Sequence, residues 1–273
     1  YTTLFRSAFT WLTLVVTVVL YVFHADFHRI LHLFKQIVHY EDTYLFVIIL
    51  LAASTRILLL GQYPYVTLGD ELRDAGLHAL HMRYRPPVDV FAFGSYEGYG
   101  NVIPFISYIF SFIFSNTRFS YIVPSAIVGF LSIMGTYVLA RQVAGKFVGF
   151  IAAIFLTVSI HHLHYSRTEL LVILDSLFSP LLILSAYYAT KHRNGYLLFG
   201  LLAGSLIHFY AGARGIAVAC SAYLLCHNLW KGFHVKEYII ITALFLIGFA
   251  AGIGPTYNIL NKNNVVTHTG NTS

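Results

Sequence analysis

Apolar residues in this chain come in long runs, not in the alternation of a half-buried strand. The runs cover roughly residues 7–23, 43–60, 121–140, 146–162, 170–190, 196–211, 214–230 and 237–255. Each is near the ~20 apolar residues that a helix needs to span a bilayer. The segment 101–115, NVIPFISYIFSFIFS, is apolar but short, with Pro104 in its first turn. That length predicts an in-plane or re-entrant helix instead of a crossing. Two polar segments interrupt the runs, a His-rich stretch at 24–42 and a long one at 61–100. The remaining turns are short: RQVAGK at 141–146, KHRNG at 191–195 and WKGFHVK at 230–236.

Those three turns are basic and free of carboxylates, the mark of cytoplasmic loops under the positive-inside rule. Residues 61–100 then lie outside, provided that 101–115 does not cross. The expected fold is all-α, a polytopic transmembrane helical bundle with juxtamembrane helices in its first outer loop. Residues 1–42 form an extra N-terminal transmembrane helix and a cytoplasmic linker, and residues 43–273 form the main helical module. The sequence opens on Tyr1 and closes on a polar tail, so a longer parent chain is expected.

Composition supports a membrane reading. Of 273 residues 58% are hydrophobic and only 10% are charged, against roughly 25% charged in ordinary soluble domains. Mean hydropathy is +0.71. A net charge of +6 fits loop orientation and anionic headgroups. No nucleic-acid-binding motif is present, and no nucleic-acid partner is expected. Cys220 and Cys226 are six positions apart in one apolar run, about 9 Å along a helix axis. That is too far for a disulfide, so both are expected to be core thiols.

Three stretches carry candidate chemistry. The first is YVTLGDELRDAGLHA at 65–79, where Asp70 and Glu71 are followed by Arg73 and Asp74. Asp70 can be the solvated start of a short amphipathic helix, favoured by the helix dipole. It can equally be a general base at the water–lipid boundary. The second is HHLHYSRTELLVILDSLFSP at 161–180. Arg167 and Asp175 are eight apart, within about 40–80° of each other on a helix. Asp175 sits in an apolar run, where an ionisable residue is a functional candidate by default; the other reading is an Arg–carboxylate pair locking two helices. The third is HFYAGARGIAV at 208–218, where Arg214 either snorkels to the interface or clamps an anionic phosphate.

The histidines say less. His24, His28 and His32 share a helix face at i, i+4 spacing, but no carboxylate or thiol completes a metal set, so an interfacial helix is expected. His161, His162 and His164 cluster beside the second stretch and are expected to shape the site. There is no nucleotide-binding glycine fingerprint and no serine elbow.

Taken together, the residues resemble the GT-C superfamily of polyprenyl-phosphate-sugar glycosyltransferases, most nearly the protein O-mannosyltransferases and the bacterial aminoarabinose lipid A transferases. The resemblance covers roughly residues 43–270. It rests on TRILLLGQYPY followed by GDELRDA, on YEGYGNVIPFISYIFSFIF, on HYSRTELLVILDSLFSP, and on some seven spans joined by short basic turns. It implies that Asp70, with Glu71 beside it, is the catalytic base that deprotonates an acceptor hydroxyl for inverting attack on a lipid-linked sugar. It implies that Arg73 contacts the donor phosphate, with Arg167 and Arg214 as further arginines at the membrane surface. It implies that Asp175 orients substrate, and His164, from its position, is expected to help bind it. Glu97 lies near a glutamate that helps some members hold a metal ion, although Glu97 and Pro104 are seven apart where the family places them close together. A divalent metal is thus the one cofactor left open. His268 stands where some members place a histidine after the seventh helix. The implied partners are a polyprenyl-phosphate-linked sugar donor, a lipid, glycan or protein acceptor, and membrane lipids.

The requirements of such chemistry agree with the residues. A long isoprenoid tail cannot leave the bilayer, since each buried methylene contributes ~0.8 kcal/mol. Its transferase needs helices for the tail, cations for the phosphate and a carboxylate for the acceptor proton. Two other classes remain, a transporter or flippase for a lipid-linked or anionic substrate, and a scaffold subunit. A transporter places its charges near the bilayer midplane, often in repeated halves. No internal repeat is evident here.

Overall fold

The computed structural model describes residues 10–22, 24, 42–60, 62, 102–114, 118–168, 172–209, 211–232 and 235–254. Every regular element among them is helical: α1 (Thr10–Val22), α2 (Asp42–Ile57), α3 (Val102–Ile113), α4 (Arg118–Ala144), α5 (Lys146–Val158), α6 (Ile160–Tyr165), α7 (Ile173–Ala189), α8 (Asn194–Ser205), the 3₁₀ turn Leu206–His208, α9 (Gly212–Lys231) and α10 (Val235–Ile253). The predicted apolar runs fall on these helices. Two of them, α4 at 27 residues and α10 at 19, are long and apolar enough to cross a membrane. The helices α1, α2, α5, α7 and α8 are apolar but shorter. At 12 residues α3 is only about 18 Å long, as its sequence predicted.

Two of the runs are broken where continuous helix was expected, and so is the stretch that carries Arg167 and Asp175. The run 146–162 stops at Val158, bends at Ser159 (φ −60°, ψ 120°) and restarts as α6. The run 196–211 tightens into 3₁₀ geometry after Ser205. Arg167 lies in a turn, and α7 begins only at Ile173. Arg167 and Asp175 therefore do not share a helix face.

Packing divides the bundle into two groups. In one, Ile48 and Ala52 of α2 meet Ile133 and Tyr137 of α4 and Ala153 of α5. In the other, α7, α8, α9 and α10 share a core around Leu182, Phe199, Leu224 and Ile241. The extensive α4–α7 contact joins the two. The helix α1 lies on the second group, with Val18 and Val22 against Leu197, Leu201 and Ala251.

The tightest approach is between α8 and α10, and the sequence carries its cause. GLLAG at 200–204 and GFAAG at 248–252 are paired GxxxG motifs. Each glycine lies against a carbonyl of the facing helix: Gly200 on Phe245, Gly204 on Phe249, Gly248 on Leu197 and Gly252 on Leu201. An added Cβ would overlap that oxygen in every case. Small residues let two backbones touch where no water is available to drive helices together. Much of the outer surface is apolar instead of polar, as with Phe46, Phe155, Val218, Leu225 and Ile247. Of the two thiols expected in the core, Cys220 is buried but Cys226 is exposed on the outer side of α9.

Helix direction follows from contacts at two levels. Ser166 sits beside Gly129 of α4, and Pro180 of α7 sits beside Gly135. So α4 and α7 run the same way, and the turns at Gly145 and at 190–193 lie at one end. There Lys231 Nζ donates to the Thr190 carbonyl (3.3 Å), Tyr196 Oη donates to Asn228 Oδ1 (2.7 Å), and Arg193 pairs with Glu237. This is the basic end. The C-terminal end of α2, the N-terminal end of α4, α6, and the starts of α7 and α9 occupy the other end. The end of α2 and the start of α4 thus lie at the same end of the bundle.

Replacing Gly204 by Leu should separate α8 from α10 and lower stability by about 1–3 kcal/mol, the usual cost of overpacking. Gly215→Ala, whose new methyl would have no neighbour within 4 Å, should be neutral or stabilising by up to about 1 kcal/mol. Thermal unfolding in one detergent checks both signs.

Candidate functional site

A helix leaves its first four N–H groups and last four C=O groups without intrahelical partners. At the end opposite the basic turns these groups are met by side chains of other elements. Arg167 is the clearest case. Nη1 donates to the Thr55 carbonyl (2.6 Å), and Nη2 donates to those of Leu58 (2.9 Å) and Leu59 (3.0 Å). It thus holds the last turn of α2. Burial pulls the Arg167 guanidinium below its ordinary range, but arginine starts so high that the group stays a cation at neutral pH.

Leu59, one of the residues so held, has φ 55°. A left-handed leucine costs roughly 1–2 kcal/mol, so the clasp fixes a backbone turn that the residue would not choose. Next to it lies Arg56, fully buried. Its Nη1 donates to Thr55 Oγ1 (2.7 Å) and its Nη2 to the Thr157 carbonyl at the end of α5 (3.5 Å). Nη2 also lies 2.8 Å from His162 Nδ1, and His162 Nε2 lies 2.6 Å from Ser132 Oγ.

Asp175, in the first turn of α7, caps a different helix. Its Oδ2 accepts the Gly212 N–H (3.1 Å), and the Ala213 N–H lies against the same carboxylate. The start of α9 is therefore held by α7, and Gly212 has to be small because a Cβ there would overlap Oδ2. The second oxygen, Oδ1, has no partner among the described residues. Arg214, close enough to Asp175 to act on it by charge, donates from Nε to the Leu206 carbonyl (3.3 Å) and from Nη2 to that of Phe209 (3.1 Å). At the end of α10, Trp11 Nε1 donates to the Ala251 carbonyl (2.9 Å), and the buried His208 lies with Nε2 3.1 Å from that of Ile253.

The structure thus places Arg167, Asp175, Arg214 and the histidines at 161, 162 and 164 at one end of the bundle. It does not pair Arg167 with Asp175: each binds the backbone of a separate helix. His164 is half-buried, edge-on to Tyr165, and its carbonyl accepts the Arg167 N–H (2.9 Å). Asp70, Glu71, Arg73, Glu97 and His268 lie outside the described residues, as do His28 and His32. No cluster of three or more metal-ligating side chains occurs among the described residues. The sequence reading passed over Arg56, although its signal was plain: a lone charge inside the apolar run 43–60.

Residues 100–253, more than half of the chain, match the family of dolichyl-phosphate-mannose-protein mannosyltransferases. The chain belongs to that family. It is accordingly a glycosyltransferase of the GT-C, mannosyltransferase type, and the family consists of membrane proteins. No curated protein and no solved structure was found to match it. The matched span runs from just before α3 to the end of α10, so it contains Arg167, Asp175 and Arg214 in this mannosyltransferase-type chain.

Removing the Asp175 cap tests the arrangement. Asp175→Ala should cost about 1 kcal/mol, as loss of an N-cap usually does, and should speed amide exchange at Gly212 and Ala213. Asp175→Asn keeps an acceptor oxygen and should retain most of the protection.

Proposed function

We propose that the protein transfers a sugar of the mannose type from a polyprenyl-phosphate donor to an acceptor hydroxyl, with inversion, on the extracytoplasmic side of the membrane. The acceptor is a protein hydroxyl, as the family's name states for its members. What carries the reading is the family match, together with one end of the bundle where Arg56 and Arg167 hold the end of α2, from which the chain runs on to Asp70, and where Asp175 and Arg214 hold the start of α9 and the turn before it.

In this reading Asp70 takes the proton of the acceptor hydroxyl as its oxygen attacks the anomeric carbon. The bond from that carbon to the phosphate oxygen breaks, and the lipid phosphate leaves with the electron pair. A phosphate leaves readily, so positioning and electrostatics supply most of the acceleration. Arg73 and the arginines at this end supply positive charge for the leaving phosphate. Asp175, held through Oδ2, keeps Oδ1 for a sugar or acceptor hydroxyl. Glu71 supports the base, His164 helps to shape the site, and Glu97 is the residue to test for a divalent metal. The shorter apolar helices cross the bilayer with α4 and α10, and the basic end faces the cytoplasm under the positive-inside rule.

Asp70→Asn should lower turnover of a polyprenyl-phosphate sugar by about 10²–10⁴-fold, the usual share of a general base, with expression and melting temperature unchanged. Loss of assembly in place of turnover, or flux of a lipid-linked sugar that is never consumed, would assign the chain to another class.

A further inference from the structure

The group least expected in an apolar bundle is Arg56, which is wholly buried on α2. Its surroundings fix a protonation state by hydrogen-bond logic alone. A guanidinium has no acceptor, so His162 Nδ1, 2.8 Å from Arg56 Nη2, must be the bare, accepting nitrogen. The proton of the neutral ring then sits on Nε2 and is donated to Ser132 Oγ at 2.6 Å. The Ser132 hydroxyl donates in turn to the Gly129 carbonyl at 2.9 Å. The chain runs one way, from Arg56 through His162 and Ser132 to the α4 backbone, and it joins α2, α6 and α4. His162 and Ser132 are buried as well.

The same turn of α2 is also gripped by Arg167, through the Thr55, Leu58 and Leu59 carbonyls. So the end of α2 is held twice, by its side chain and by its backbone, at the place where Leu59 is left-handed. Strain of this kind persists only where surrounding contacts over-determine it. Asp70 follows Leu60 by ten residues.

We propose that His162, acting with Ser132 through Arg56, is a positioning residue: the neutral ring locks the end of α2 and so sets where the chain departs towards Asp70 and Glu71. The lock deepens the sugar-transfer reading and rests on it. His162 touches no substrate in this role. It supplies one acceptor and one donor in fixed directions, a pairing that Gln can imitate and Phe cannot.

The test uses the full chain in detergent or nanodiscs. Spin labels are placed at Gln62→Cys and Leu225→Cys after Cys220→Ser and Cys226→Ser, and the distance distribution between them is measured. His162→Phe should broaden it, His162→Gln should keep it narrow, and Ser132→Ala should broaden it less than His162→Phe, which also covers the case in which Phe prevents folding. In a turnover assay His162→Phe should lower kcat by up to about 10²-fold, the cost of a misplacement near 1 Å. KM for the donor should stay unchanged, and His162→Gln should recover most of kcat. A distribution as narrow in His162→Phe as in the parent, or broadening that Gln does not reverse, overturns the lock. A parent chain that transfers no sugar overturns the function, while the label distances still decide the lock.

Discussion

Backbone polar groups at the end of a helix must find partners, and in apolar surroundings they must find them inside the protein. The architecture of this chain follows from that constraint at one end of the bundle. Arg167 serves the last carbonyls of α2, Arg56 one of α5, Trp11 and His208 those of α10, Arg214 those around the 3₁₀ turn, and Asp175 the first amides of α9. Each cap comes from an element other than the helix it serves, apart from Arg214, which reaches back from α9 to the turn just before it. The charges that look like isolated functional residues in the sequence are therefore also the joints between helices.

That double use sharpens the functional reading. A charge already bonded to a carbonyl is not free to fold around a substrate, but its position is fixed in advance. Preorganised charge stabilises a transition state without reorganising when the reaction occurs. The proposed roles of Arg167, Arg214 and Asp175 draw on this: the backbone contacts orient the groups, and Asp175 Oδ1 keeps its valence without a partner among the described residues.

How much of this was legible in the sequence depends on the kind of signal. Apolar runs placed nearly every helix, because length and hydropathy alone decide where hydrocarbon can be met. They did not reveal the bend at Ser159 or the turn at 166–168, since the contacts there come from residues distant in sequence, as Arg56 does to the Thr157 carbonyl. The expected Arg167–Asp175 face failed for that reason: eight-residue spacing implies a shared face only along unbroken helix. Cys226 was assigned to the core because an apolar run does not say which side faces neighbours when the outside is apolar too. The paired GxxxG motifs, by contrast, were readable at 200–204 and 248–252, yet become meaningful only once α8 and α10 are known to face each other. Arg56 was readable as a lone charge, but its partners on other helices, Thr157 and His162, lie 101 and 106 residues away. Asp70, Glu71, Arg73 and Glu97 rest on sequence alone.

The two ends of the bundle differ in a way that bears on function. At the basic end short turns and the Tyr196–Asn228 and Arg193–Glu237 pairs close the helices regularly. Between the ends, α8 and α10 meet backbone to backbone and leave no room for adjustment. At the remaining end the helices stop early, bend, tighten into 3₁₀ geometry and carry a strained leucine. In a membrane protein, irregular backbone is tolerated where it is buried in protein or lines a cavity. A fold that could have ended its helices as neatly here as at the basic end, but instead holds them broken with buried cations, concentrates its costs where substrate chemistry would gain from them. The α8–α10 spine carries no such irregularity, because paired small residues bring its two backbones together along its length.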